Sequence, residues 1–145
     1  MRIAIGSDHG GFDQKEVIIK HLKDKGYEVQ DVGTYSKDSC HYPIFGAEVG
    51  KLVASKQCDF GIVVCTSGEG IAIAANKIKG VRCGIGYNDE VSKLMRQHND
   101  ANVISFGAKF MPDEDVLRRV DIFLSTEFEG GRHAERVKII SNLEN

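Results

Sequence analysis

The sequence predicts a doubly wound α/β fold with a five-stranded parallel sheet flanked by helices. Five short apolar runs alternate with segments at helical spacing, the pattern of repeated βαβ units. The run Phe60 to Val64 is continuously apolar and β-branched, as a strand buried on both faces requires. No linker, repeat or low-complexity stretch interrupts the alternation, so the 145 residues are expected to form one domain, 1–145.

Taken in order, Arg2 to Gly6 is a short apolar strand, followed by Ser7-Asp8-His9-Gly10-Gly11. Phe12 to Lys25 has helical spacing with Val17, Ile18 and Leu22 as its buried stripe, and Gly26 ends it. Tyr27 to Val32 reads as the second strand, which makes the first unit βαβ and the sheet parallel. Gly33 to Pro43 reads as a loop containing Tyr42, and Ile44 to Ser55 as a helix with Phe45, Val49, Leu52 and Val53 on its core face. The strand Phe60 to Val64 stops at Cys65, and Thr66-Ser67-Gly68-Glu69-Gly70 turns the chain into a helix from Ile71 to Lys77. A strand from Val81 to Gly86, a helix from Glu90 to Gln97 and a strand from Asn102 to Phe106 follow. Pro112 suits the first position of a helix over Asp113 to Leu124. The last helix, Gly131 to Leu143, carries Val137, Ile140 and Leu143 on one side.

Composition narrows the function classes. The chain is 41% hydrophobic and 28% charged, ordinary for a globular protein, with 16 glycines and two prolines. A formal charge of −2 offers no general attraction to nucleic acid or to an anionic membrane. Met1-Arg2-Ile3-Ala4 leads straight into a strand, without a signal-peptide pattern, a long apolar run or a lipidation motif, so a cytoplasmic protein is expected. The four cysteines, Cys40, Cys58, Cys65 and Cys83, lack the paired spacing of a zinc site; Cys58 and Cys83 read as apolar filler, and no metal is expected.

Chemistry concentrates around Cys65. A strand end, a small-residue turn and a helix start aim several backbone N–H groups at one point, a ready anion site at the end of a sheet where ligands bind. A cysteine there is placed to act as nucleophile or base, because a helix N-terminus favours the thiolate. A phosphatase loop would need arginine six residues on, where Ile71 stands. The first turn, Gly6 to Gly11, lacks G-x-G-x-x-G spacing, which weakens a nucleotide reading. His98-Asn99-Asp100 precedes the fifth strand, so His98 is expected at the opposite end of the sheet from Cys65. If the two act together, a site shared between subunits of a symmetric dimer is the simplest solution. Arg132 and Arg136, four apart behind Gly130-Gly131, fit either a phosphate dianion or a solvated basic face near Glu129 and Glu135. Asp8-His9 fits a turn cap as well as a site, and Tyr42 fits packing.

With these residues assembled, the chain resembles the ribose-5-phosphate isomerase B family, which is related to the galactose-6-phosphate isomerase subunits. The resemblance spans essentially the whole chain and rests on GSDHGG (Gly6 to Gly11), HYP (His41 to Pro43), GIAIAANK (Gly70 to Lys77), RQHNDANV (Arg96 to Val103) and EGGRHAERV (Glu129 to Val137). It implies a Rossmann-like fold whose C-terminal helix contributes to a homodimer. It further implies a cofactor-free aldose–ketose isomerase that acts on a phosphorylated sugar through a cis-enediolate, in the pentose phosphate pathway. On that resemblance Cys65 is the base between C1 and C2, and His98 of a second subunit assists opening of the furanose ring, with Asp8 nearby. His9, Arg132 and Arg136 hold the phosphate, Tyr42 and Asn99 line the sugar site, and the turn from Ser67 through Gly68, Glu69 and Gly70 stabilises the enediolate oxygen. The implied homodimer is compatible with further pairing into a tetramer.

The turn departs from the family's G-T-G-x-G. Ser67 keeps the hydroxyl of the family's threonine, whereas Thr66 adds a side chain where glycine is usual and Glu69 adds a charge at the helix start. A glutamate base in another branch of the family corresponds to Ile71, not Glu69. The altered turn keeps a six-carbon substrate, such as allose 6-phosphate or galactose 6-phosphate, in view beside ribose 5-phosphate. A sugar-phosphate binding module without catalysis is a third reading, opposed by the retention of Cys65, Ser67 and His98.

Overall fold

Five strands pair in parallel, as the alternation predicts, in a computed structural model that describes residues 1–145. They are β1 (Arg2–Ser7), β2 (Glu28–Asp31), β3 (Phe60–Cys65), β4 (Cys83–Ile85) and β5 (Val103–Gly107). The helices are α1 (Phe12–Asp24), α2 (Tyr42–Ala54), α3 (Glu69–Asn76), α4 (Asp89–Gln97), α5 (Asp113–Ser125) and α6 (Arg132–Asn142). The strand order is β2-β1-β3-β5-β4. The last two strands are exchanged relative to their chain order, so β5 rather than β4 lies beside β3.

Alternate residues of the central strands face opposite layers. Ile3, Ile5, Ile62, Val64, Ile104 and Phe106 meet Ile18 and Leu22 of α1, Met95 of α4 and Val116, Val120 and Phe123 of α5. Ala4, Val63, Cys65 and Val103 meet Val49, Leu52 and Val53 of α2 and Ile71 and Ala75 of α3. Each fully buried aliphatic side chain contributes about 1.5–3 kcal/mol. The α2–α3 contact is close because Gly46 sits against Ile71 and Ala74; a Cβ there would come within 2.8 Å of the Ile71 carbonyl oxygen. This brings the first turn of α2 over the start of α3.

Several boundaries differ from the sequence expectation for local physical reasons. Tyr42 and Pro43 belong to α2, because a proline in the first helical turn lacks only an N–H that the helix does not use. Pro112 lies just outside α5 with ψ 147°, leaving Asp113, Glu114 and Asp115 to occupy the positive end of the helix. Helix α3 starts at Glu69, directly after Gly68 in the left-handed region. The edge strands β2 and β4 are shorter than their apolar runs. A 3₁₀ turn over His9–Gly11 had no signal in the periodicity. Helix α6 buries no residue, and Ile139, Ile140 and Leu143 are exposed. No helix is long and apolar enough to cross a membrane.

The side chain of Lys15 is completely buried. Its ammonium pairs with both oxygens of Asp31 at 2.9 Å and lies 5.3 Å from the Phe12 ring centroid and 5.7 Å from that of Tyr35. Asp31 Oδ1 also accepts from the Gly33 N–H, so the pair anchors the start of the loop that runs past His9. Lys15→Met is expected to destabilise the fold by about 3 kcal/mol, because it leaves the Asp31 carboxylate without its counter-ion. Urea denaturation at neutral pH measures this, and adding Asp31→Asn should restore part of the loss.

Candidate active site

The carboxyl ends of β1 and β3 gather one group of the candidate residues. Cys65 closes β3 and is buried; its Sγ accepts the Gly68 N–H at 3.2 Å. Gly68 holds φ 83°, a conformation that favours glycine, and Ser105 Oγ of β5 donates to its carbonyl at 2.6 Å. The Ala108 and Lys109 N–H groups donate to the Cys65 and Thr66 carbonyls. Gly107 lets the turn lie directly on β5, since a Cβ there would stand 2.3 Å from the Ser67 carbonyl oxygen. Ser67 Oγ accepts from the Glu69 N–H, while the N–H groups of Ser67 and Gly70 donate to no backbone acceptor, as expected at a helix start. The turn thus offers a thiol backed by one amide, with further amides free for an anion.

Asp8 and Tyr42 lie beside this turn, and His9 follows Asp8 on the first loop. Asp8 is buried and its Oδ1 accepts the Gly11 N–H, so it caps the 3₁₀ turn while Oδ2 has no partner within the chain. His9 is exposed, and its Nδ1 accepts the Cys40 N–H at 3.2 Å. That bond leaves Nε2 to carry the ring proton and donate outward. The Tyr42 ring lies over Gly70, where a Cβ would come within 2.6 Å of it. Thr66 turns its hydroxyl toward Gly10, whose added Cβ would lie 2.3 Å from Thr66 Oγ1, so its side chain packs on the first loop. Glu69 lines a groove of about 500 Å³ along the edge strand β4, with Ser67 at the same end and Asn99 at the other.

His98, Asn99, Arg132 and Arg136 form a separate group at the amino end of the sheet. Gly61 pairs with Val103 and Cys65 with Gly107, so the strand alone separates the ends by roughly 13 Å, and His98 lies beyond Val103. Arg132 and Arg136, at the start of α6, are exposed and make no ion pair within the chain. The His98 and His133 rings stack at 4.2 Å with 13° between their planes, and Glu129 approaches both. His98, Glu129 and His133 are the one group of three possible metal-ligating side chains within 4.8 Å of one another. Nearly parallel stacked rings do not share a plane in which one ion could meet both lone pairs, so this arrangement suits hydrogen bonding better than ligation.

Burial pushes up the thiols of Cys58 and Cys83, that of Cys83 to about 12, which leaves neither suited to be a nucleophile. Three residues near the turn escaped the sequence reading. Ser105 was visible only as a lone hydroxyl in an apolar run, and Gly107 as the small residue ending it. Lys109 had no local signal; its exposed ammonium lies beside the turn through its backbone bond to Thr66. Ser105→Ala is expected to cost about 1–3 kcal/mol, because the buried Gly68 carbonyl loses its donor. Chemical denaturation reads that loss, and an unchanged midpoint would mean that the hydroxyl does not seat the turn.

Comparison with known proteins places the chain among sugar-phosphate isomerases. The family profile described as Ribose/Galactose Isomerase matches residues 3–140. The ribose-5-phosphate isomerase B of Escherichia coli K12 is 42% identical over 143 residues, covering 99% of this chain and 96% of that protein. The Clostridium thermocellum ribose-5-phosphate isomerase B structure superposes with a TM-score of 0.98 at 46% identity, covering 99% of this chain and 97% of that one. The Mycoplasma genitalium ribose-5-phosphate isomerase B, solved with ribulose 5-phosphate bound, gives a TM-score of 0.95 at 39% identity, covering 99% of this chain and 95% of that one.

Proposed function

The chain belongs to the ribose/galactose isomerase family, and on that premise we propose that it interconverts ribose 5-phosphate and ribulose 5-phosphate. The observation that carries the reading is the seat of Cys65, a buried thiol held by the Gly68 N–H at the mouth of the α3 amide cluster. In the open-chain aldose, Cys65 as thiolate takes the C2 proton. The C2–H electron pair forms the C1–C2 double bond of a cis-enediolate, and the carbonyl oxygen on C1 becomes an oxyanion. The C2 hydroxyl proton passes to the C1 oxyanion, and the electron pair left on O2 forms the C2 carbonyl. The C1–C2 π pair takes the proton back from Cys65 at C1, which gives the ketose and restores the thiolate. The amides at Ser67 and Gly70 and the Ser67 hydroxyl are aimed where that oxyanion develops. A positioned base contributes about 10²–10⁴-fold to such a transfer. His9 Nε2–H, Arg132 and Arg136 bind the phosphate, whose binding energy fixes the sugar for reaction; Tyr42 and Asn99 border the sugar.

His98, Arg132 and Arg136 reach this chemistry from a second copy of the chain. The exposed Ile139, Ile140 and Leu143 of α6 and the open edge at β4 give such a copy an apolar surface to cover. A shared-site homodimer therefore accounts for the separation of the two residue groups. Pairing of dimers into a tetramer would complete no further residue group. The reaction belongs to cytoplasmic pentose phosphate metabolism.

Two measurements test the reading. Cys65→Ala should abolish isomerisation of ribose 5-phosphate, with and without chelator, while its affinity for that substrate stays near wild type. Normal turnover by the variant would remove Cys65 as the base, and turnover of six-carbon sugar phosphates alone would move the substrate assignment. Refolding equal amounts of inactive Cys65→Ala and His98→Ala chains together should recover about a quarter of wild-type activity, since half the dimers are mixed and each holds one intact site. Recovery of none would place both residues in the same subunit's site.

A further inference from the structure

We propose that Glu129 and His133 are positioning residues for His98, together fixing its imidazole as the proton carrier that opens the furanose ring. The inference rests on the isomerase reading above and adds two residues to it. The Glu-Gly-Gly-Arg-His stretch then carries a purpose beyond supplying Arg132. The chain arrives beside His98 through two bonds to the end of α4: the Arg96 guanidinium donates to the Thr126 carbonyl, and the Glu129 N–H donates to the Gln97 carbonyl. Gly130 and Gly131, at φ 71° and 58°, then reverse the chain so that α6 returns over His98. His133 is thereby laid flat against the His98 ring, with its own side chain only 12% exposed. Glu129 Oε1 stands 3.5 Å from His98 Nε2 and 3.8 Å from His133 Nε2.

This geometry suits ring opening. His98 accepts the proton of the anomeric hydroxyl; that O–H electron pair forms the C1 carbonyl, and the C1–O4 bond breaks with its pair going to O4. O4 then takes up the proton that His98 holds, so the imidazole returns to its starting state and nothing else is consumed. Between those transfers His98 is a cation, and the Glu129 carboxylate stabilises that state. Desolvation, followed by the neighbouring His98, Arg132 and Arg136, lowers the pKa of His133, and Glu129 opposes that shift. The stacked His133 ring restricts His98 to one orientation, which a half-exposed imidazole would otherwise lose.

The test separates ring opening from isomerisation. In Cys65→Ala protein, proton transfer at carbon is blocked, and ring opening is read as catalysed exchange between the α and β anomers of ribose 5-phosphate by magnetisation-transfer NMR. The Cys65→Ala parent should accelerate exchange above the buffer rate. Adding Glu129→Gln or His133→Ala should slow it about tenfold or more, with calorimetric affinity for ribose 5-phosphate within about twofold, whereas His133→Phe, which keeps a flat ring, should retain most of it. In protein that keeps Cys65, Glu129→Gln should lower kcat for ribose 5-phosphate more than kcat for ribulose 5-phosphate. The cyclic aldose then fills the site unproductively, while the acyclic ketose does not. Undiminished exchange in Glu129→Gln and His133→Ala overturns the positioning role and leaves the isomerase reading standing. Equal losses of affinity and exchange overturn it in favour of a structural role. Isomerisation by wild-type protein together with no anomer exchange by the Cys65→Ala parent removes ring opening from His98 altogether, and the proposal with it. Failure of wild-type protein to isomerise any sugar phosphate strikes the isomerase reading itself.

Discussion

The turn from Cys65 to Gly70 has to lie directly on the backbone of β5, and the rest of the site depends on that contact. Ser105 supplies the hydrogen bond that holds Gly68 in the left-handed region, and Gly107 supplies the missing Cβ that lets the Ser67 carbonyl approach. Both residues are buried. Together they fix where the Cys65 thiol points and which amides of the turn stay free, because a backbone seated against backbone has little room to shift. The contact follows from the exchange of the last two strands, since Ile85, the β4 residue in register with Ser105, has no hydroxyl to offer Gly68.

From that seat the surrounding residues follow by close packing. Gly46 allows α2 to approach α3, and this carries Tyr42 over Gly70. The buried Lys15–Asp31 pair anchors the chain at Gly33, and the loop beyond it returns the Cys40 amide to His9. The carboxyl-end half of the site is therefore held by interactions that are mostly not part of its chemistry: an ion pair, a helix seam and a strand-to-turn hydrogen bond. Such supporting contacts restrict how far the groups at the turn can move, as the proposed proton transfer at carbon requires.

The other half is built differently. Helix α6 buries little of itself beyond the His133 side chain, yet it carries the two unpaired arginines and that stacked ring at the amino end of the sheet. A segment with so little internal burial gains stability from what covers it. In the proposed dimer the same covering chain completes the chemistry, so assembly and activity share one surface.

Much of this was legible in the sequence. The strand–turn–helix at Cys65, the parallel sheet and the separation of His98 from Cys65 all follow from local periodicity and from counting residues to strand ends, because burial on both faces and helical spacing leave direct marks in the chain. The identity of the family was likewise legible in five ordered motifs. What only the tertiary structure decided are relations between distant segments. The exchange of β4 and β5, the use of Ser105 and Gly107 as the seat of the turn, the complete burial of Lys15 and the folding of Glu129 and His133 around His98 leave no periodic trace. Each depends on which neighbour a residue meets across the sheet or after a chain reversal, and a one-dimensional pattern records a residue's own burial and spacing, not its partner.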